Sequence, residues 1–138
     1  MRFRLLAICS AENRDLLHNA LAHWSLKIGW CPSLSEARRA LRSRKHSLVL
    51  CEAQLPDGSY RDVCEVLGPR IKNTRLIIVT MADLETCYSE AIALGAFDVM
   101  LAPCSRTDLQ WMLMRAIHST VSASANGSSS DTNSLVVQ

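Results

Sequence analysis

The sequence predicts an α/β fold in which one five-stranded parallel sheet, with strand order 2-1-3-4-5, carries helices on both faces. Three observations carry this expectation. Short apolar runs of strand length recur along the chain with no polar face, as strands covered on both sides require. Between them the apolar spacing changes from two to about 3.6 residues, the period of a helix packed along one side. The alternation recurs through a chain of 138 residues that is 49% hydrophobic and 20% charged, which is material for one well-buried core.

The first strand, β1, is Leu5-Leu6-Ala7-Ile8, and Leu17, Ala20, Leu21 and Trp24 mark the inner side of helix α1. Strand β2, Leu26-Lys27-Ile28-Gly29-Trp30, alternates apolar with other residues, as an edge strand does. Leu34, Ala37 and Leu41 mark α2, where Ser33 and Glu36 have the spacing of a capping box. Strand β3 is Leu48-Val49-Leu50, followed by a weaker helix, α3, on Val63, Val66 and Leu67. After β4, Leu76-Ile77-Ile78-Val79, comes the clearest helical period: Leu84, Cys87, Tyr88, Ala91 and Ile92 define α4, and Gly95 stops it. Strand β5, Val99-Met100-Leu101, leads to Ser105, which caps α5 with its inner face on Leu109, Met112, Leu113, Ala116 and Ile117.

This succession is the doubly wound, flavodoxin-like arrangement, in which ligands sit at the carboxyl ends of the strands where the strand order reverses. The expected domain covers residues 1–119. Residues 120–138 turn to Ser, Asn, Thr and Gly without periodicity and read as a flexible tail or the start of a linker.

Composition excludes several classes. The formal charge is only +2, and although Arg38, Arg39, Arg42, Arg44 and Lys45 are gathered, no aromatic residues are interleaved, so nucleic acid is an unlikely partner for this domain alone. The six cysteines lack CxxC spacing and several lie in apolar runs, which fits small buried hydrophobes in a reducing, cytoplasmic protein rather than a disulfide scaffold. The first apolar run is too short to cross a membrane and lacks a cleavage pattern.

The strand ends bring together Cys9, Ser10, Glu52, Thr80, Ala102 and Pro103. Here the segment LVLCEAQLPDG, residues 48–58, resembles the surroundings of the phospho-accepting aspartate of response-regulator receiver domains. Val79-Thr80-Met81-Ala82 is similar to their strand-four switch segment, and GAFDVMLAP, residues 95–103, to the segment ending in Lys-Pro. The likeness covers residues 4–118 and implies a signalling domain. A receiver uses a strand-one acidic pair to hold Mg²⁺, an aspartate nucleophile, a Thr or Ser hydroxyl, and a lysine that pairs with the phosphoryl group.

By that resemblance the acidic pair falls on Cys9 and Ser10, a soft sulfur and a neutral hydroxyl where a hard cation needs carboxylates. The phosphoacceptor position is Glu52, whose extra methylene shifts the carboxylate by ~1.5 Å, and a misplacement of about 1 Å already costs about 10² in rate. The lysine position is Ala102, Thr80 keeps the switch hydroxyl, and Val99 stands where the family usually has an aromatic switch residue. The expected protein is a degenerate receiver, or pseudo-receiver, that catalyses nothing, needs no cofactor and acts by phosphorylation-independent protein contact. In it Glu52 imitates a permanently charged acceptor and Thr80 bonds it.

The partner surface is placed on the α4-β5-α5 face, with Val99, Trp111 and Met114 in it, for a protein partner or a homodimer. Trp111 and Met114 are three residues apart and off the inner stripe of α5. Two alternatives stand beside this reading: a thiol- or metal-responsive switch on Cys9 and Cys104, and the receiver part of a longer transcriptional regulator. Ser10 has a plainer reading as the N-cap of α1.

Overall fold

The computed structural model describes residues 3–126. Its elements are β1 (Phe3–Ile8), α1 (Ala11–Ala20), β2 (Leu26–Cys31), α2 (Leu34–Ser43), β3 (Leu48–Glu52), α3 (Tyr60–Leu67), β4 (Arg75–Thr80), α4 (Leu84–Ala93), β5 (Asp98–Leu101) and α5 (Arg106–Asn126). A small hairpin pairs Gln54–Leu55 with Gly58–Ser59, and a 3-10 turn spans Gly68–Asn73. Periodicity signals neither, because both are too short to show one.

The five strands are parallel and lie in the order β2-β1-β3-β4-β5, as the sequence predicts. Side chains alternate across the sheet, so each central strand feeds two cores. Leu6, Ile8, Val49, Cys51, Leu76, Ile78 and Val99 face α2, α3 and α4. Leu5, Ala7, Cys9, Leu48, Leu50, Ile77, Val79 and Met100 face α1 and α5. The runs read as innermost, Leu5–Ile8, Leu48–Leu50 and Leu76–Val79, are buried throughout. Strand β2 alternates partly buried with exposed residues along Leu26–Trp30, as its edge position demands.

The helix ends are set by side-chain acceptors. Ser10 Oγ accepts from Asn13 N–H at the start of α1, and Ser33 Oγ accepts from Glu36 N–H at the start of α2. The Asp57 carboxylate takes the two further N–H groups of α2, Leu34 at 2.7 Å and Ser35 at 3.0 Å, and so pins the loop after β3 to that helix. These bonds hold the Asp57 pKa below the usual carboxylate range. A reciprocal capping box forms at α3 between Ser59 and Asp62.

Two sequence expectations are corrected. Helix α1 ends at Ala20, with Leu21 as its C-cap, so Trp24 packs from the following loop rather than from the helix. On α4 only Cys87 and Ala91 are buried, while Leu84 and Tyr88 are 39% and 47% exposed. The helix covers the last strand of the sheet, and only a narrow line of it meets the core. Helix α5 runs to Asn126, into the segment expected to be a tail or linker start. The rest of the expected tail, residues 127–138, lies outside the described residues.

Candidate functional site

At the carboxyl ends of β1, β3, β4 and β5 the sheet presents Cys9, Ser10, Glu52, Thr80 and the Ala102–Pro103 turn, whose peptide bond is cis. Glu52 ends β3 and turns toward α1. Its Oε2 accepts from Ser10 N–H at 2.9 Å, from Ser10 Oγ at 2.9 Å and from the Asn13 side-chain amide. All three donors are neutral and belong to the first turn of α1 or its cap, where unpaired N–H groups favour an anion. The acceptor position therefore carries one carboxylate engaged by protein donors in place of a carboxylate cluster around a cation.

Thr80 is 5% exposed and is turned into its own loop. Its Oγ1 donates to Ala82 C=O at 2.8 Å and lies 3.4 Å from Ala82 N–H. In place of the expected Thr80–Glu52 hydrogen bond, Thr80 bonds within its own loop to Ala82 and Glu52 bonds to the start of α1. Ala102 N–H donates to Thr80 C=O at 2.7 Å, so the backbone at the lysine position knits β4 to β5.

Cys9 is 1% exposed, beneath Trp30. The indole Nε1 donates to Cys9 C=O at 2.9 Å, and the Arg14 guanidinium lies 4.5 Å from the Trp30 ring centre. Burial, and next the nearby Glu52 charge, push the Cys9 thiol up to about 12. Burial also raises the Cys104 thiol. Both are neutral thiols at neutral pH, and neutral thiols are poor nucleophiles and poor metal ligands. Among the described residues, no group of three or more His, Cys, Asp or Glu side chains is placed to hold a metal ion. The metal alternative on Cys9 and Cys104 thus has no third ligand of these types grouped with it among the described residues.

The surface residues separate as well. Val99 is 7% exposed and packs under α4, so it offers a partner no surface; the exposed side chain of β5 is Leu101, at 48%. Trp111 and Met114 are exposed, but they line a shallow groove with Trp24, Thr107 and Gln110. Gln110 bonds Ala20 C=O of α1, whereas the side of α5 toward β5 holds Arg115, paired with Asp98 at 3.0 Å. Trp111 and Met114 thus form one wall of a groove shared with the loop after α1. Asn13, which bonds Glu52, and Asp57, which caps α2, were missed; each sits where a cap or turn partner is common, and that is the only signal they gave.

A doubly wound sheet with an acidic side chain ending its middle strand, a hydroxyl ending the next and an X-Pro turn after the last defines a receiver-type signalling domain. The response regulator receiver domain family matches residues 10–114, and this chain belongs to it. It is 33% identical over 88 residues to the transcriptional regulatory protein CitB of Klebsiella pneumoniae, covering 64% of this chain and 38% of that protein. It is 29% identical over 105 residues to the response regulator protein PilR of Pseudomonas aeruginosa, covering 75% of this chain and 23% of that protein. The chain thus spans well under half the length of either relative. Among solved structures, the signal receiver domain of an HD domain-containing protein from Pseudomonas fluorescens Pf-5 superposes with a TM-score of 0.79 at 20% identity, over 88% of this chain and 99% of that one. Receiver domains of response regulators serve signal transduction by engaging partner proteins. Among the described residues, no helix is long and apolar enough to cross a membrane.

Proposed function

We propose that this receiver domain transmits its signal by protein contact without being phosphorylated, and that it catalyses nothing. The observation that carries the reading is the capture of Glu52 Oε2 by Ser10 N–H, Ser10 Oγ and Asn13 Nδ2. Phosphoryl transfer needs a cation to neutralise the developing charge. A site holding a thiol, a hydroxyl and an alanine at the three supporting positions supplies neither carboxylates for that cation nor a positive side chain of its own. The Glu52 charge instead fastens β3 to α1, so the site is a permanent structural joint.

The proposed partner surface is the exposed apolar group on the α4-β5 side. Leu84 and Tyr88 lie one turn apart on α4, Met81, 83% exposed, follows the end of β4, and Leu101, 48% exposed, is the last residue of β5. Large exposed apolar side chains of this kind are enriched at protein interfaces. Its relatives' greater length supports a second proposal, that this domain serves as the receiver part of a longer regulator.

The experiment is a Mg²⁺ titration followed by backbone amide spectra. The expected result is no saturable shift at Ser10, Asn13, Glu52 or Thr80. A saturable shift confined to those amides at millimolar Mg²⁺ would show a working cation site and defeat the proposal.

A further inference from the structure

The end of the sheet opposite Glu52 holds a cavity that the signalling reading leaves unused. Helices α2 and α3 both finish there, and the segments entering β3 and β4 close it. Leu41 and Leu67, both buried, give it an apolar base, and Arg44, Lys45, His46 and Arg70 stand around it. Asn73 and Thr74 complete the wall with neutral polar groups, and no acidic residue lines it. Its volume is about 100 Å³, the share of about three water molecules at ~30 Å³ each, which is room for one tetrahedral oxyanion.

Basic side chains at helix ends have an ordinary role, since the last carbonyls of a helix attract cations. Arg70 fills that role: its Nη1 donates to Leu41 C=O at 2.8 Å and its Nη2 to Val66 C=O at 3.4 Å. The role does not use up the charge. Each helix end carries roughly half a negative charge, so the two together offset about one of the positive charges on Arg44, Lys45, Arg70 and the neighbouring Arg4. Among the described residues no salt bridge includes any of these four side chains, so a surplus of about three positive charges remains. The wall also holds a group out of balance. His46 Nδ1 is buried without a hydrogen-bond partner among the described residues, whereas buried polar atoms of native folds are almost always paired. The charged groups facing the ring are Arg4 from β1, Arg44 from the end of α2 and Arg70 from the turn after α3, all cations. Burial first, and these charges next, hold the imidazole pKa below its usual value, with the Arg44 backbone opposing them in part.

We infer that this cavity binds a phosphate-type oxyanion, free or as the terminal group of a small phosphorylated molecule, held by Arg44, Lys45 and Arg70 above Leu41 and Leu67. A dianion matches the surplus of charge, and the guanidinium of Arg70, already fixed by its two backbone bonds, keeps its other N–H donors for the oxyanion. The bound charge offsets the cations around His46, so binding favours the protonated ring. Arg39 and Arg42 on the exposed side of α2 strengthen the field that draws an anion in, but they do not line the cavity. The site is independent of Glu52, which lies at the other end of the sheet.

The test is a titration of the full chain with sulfate, followed by backbone amide and histidine ring spectra at an ionic strength held constant with chloride. Sulfate keeps its double charge across the range in which histidine titrates; inorganic phosphate and adenosine 5′-monophosphate follow at neutral pH. The expected result is a saturable shift at the amides of residues 44–46 and 70–74, a raised His46 pKa at saturation, and sulfate binding that tightens as pH falls. Arg44→Gln with Lys45→Gln changes two exposed side chains, so it keeps the fold, and it should weaken sulfate binding about tenfold. Arg39→Gln with Arg42→Gln removes the same charge outside the cavity and should weaken it less than about twofold. Tighter binding of the nucleotide than of phosphate assigns the site to phosphorylated small molecules, and the reverse order assigns it to free phosphate. Shifts no larger than chloride alone produces, equal weakening by the two pairs of substitutions, or a His46 pKa unchanged at saturation overturns the inference.

Discussion

Replacing Glu52 by Ala should destabilise this domain. A receiver with a full carboxylate cluster would respond in the opposite direction, since removing one of several mutually repelling charges relieves strain. Here the single carboxylate meets three donors: the Ser10 N–H and Oγ, each at 2.9 Å, and the Asn13 amide. A hydrogen bond to a charged group contributes up to about 1.5–3 kcal/mol, but all three share one oxygen and the group is partly exposed, so the expected loss is about 1–2 kcal/mol. An exposed charge at a helix start adds or subtracts a few tenths and does not change the sign. For a domain of this size the loss lowers the melting temperature by roughly 5 °C. Thermal unfolding followed by far-UV circular dichroism reads it, with urea unfolding as an independent measure of the midpoint. The double-mutant cycle with Asn13→Ala should return a coupling of about 1 kcal/mol, because the two residues share one bond. An unchanged or raised melting temperature in Glu52→Ala would refute the view that Glu52 is a structural joint.

Alkaline pH should weaken the fold. Burial raises the thiols of Cys9 to about 12 and Cys64 to about 11 from 9.0. The unfolded chain therefore releases these protons near pH 9 while the folded chain still holds them, so stability is full below about pH 9 and falls as pH rises toward 11; a melting temperature constant across that interval would contradict it. Gly95→Ala should cost more than about 1 kcal/mol, since Gly95 has φ +107° and an added Cβ would lie 3.1 Å from Ile71 side-chain atoms; urea unfolding measures the loss, and a neutral result would show that the turn relaxes. Removing residues 127–138 should leave the melting temperature unchanged, because their Ser-rich composition, with Leu135, Val136 and Val137 its only large apolar residues, offers little apolar surface to bury; a clear drop would show that they dock.

Much of the architecture was legible because it rests on burial alone. Leu5–Ile8, Leu48–Leu50 and Leu76–Val79 have no polar face to turn to water, and with five alternations they leave few topologies open. The α4 stripe misled because periodicity reports that a helix has an apolar side, not how wide a surface covers it. At the sheet's last strand only the line through Cys87 and Ala91 is covered. The site positions on β1, β3, β4 and β5 came from strand ends, which the fold fixes. The bonding within the site did not, since it depends on Asn13 and the Ala82 carbonyl, and such local donors and acceptors leave no periodic trace.

The central claim is that this receiver does not accept a phosphoryl group, and it is tested most directly by intact-mass analysis after incubation with acetyl phosphate and Mg²⁺. The unmodified chain should remain unlabelled, and Glu52→Asp alone should remain unlabelled too, because Cys9, Ser10 and Ala102 still supply neither metal ligands nor a cation. Returning Cys9→Asp, Ser10→Asp, Glu52→Asp and Ala102→Lys together should restore measurable labelling. Stoichiometric labelling of the unmodified chain at Glu52 would contradict the account outright.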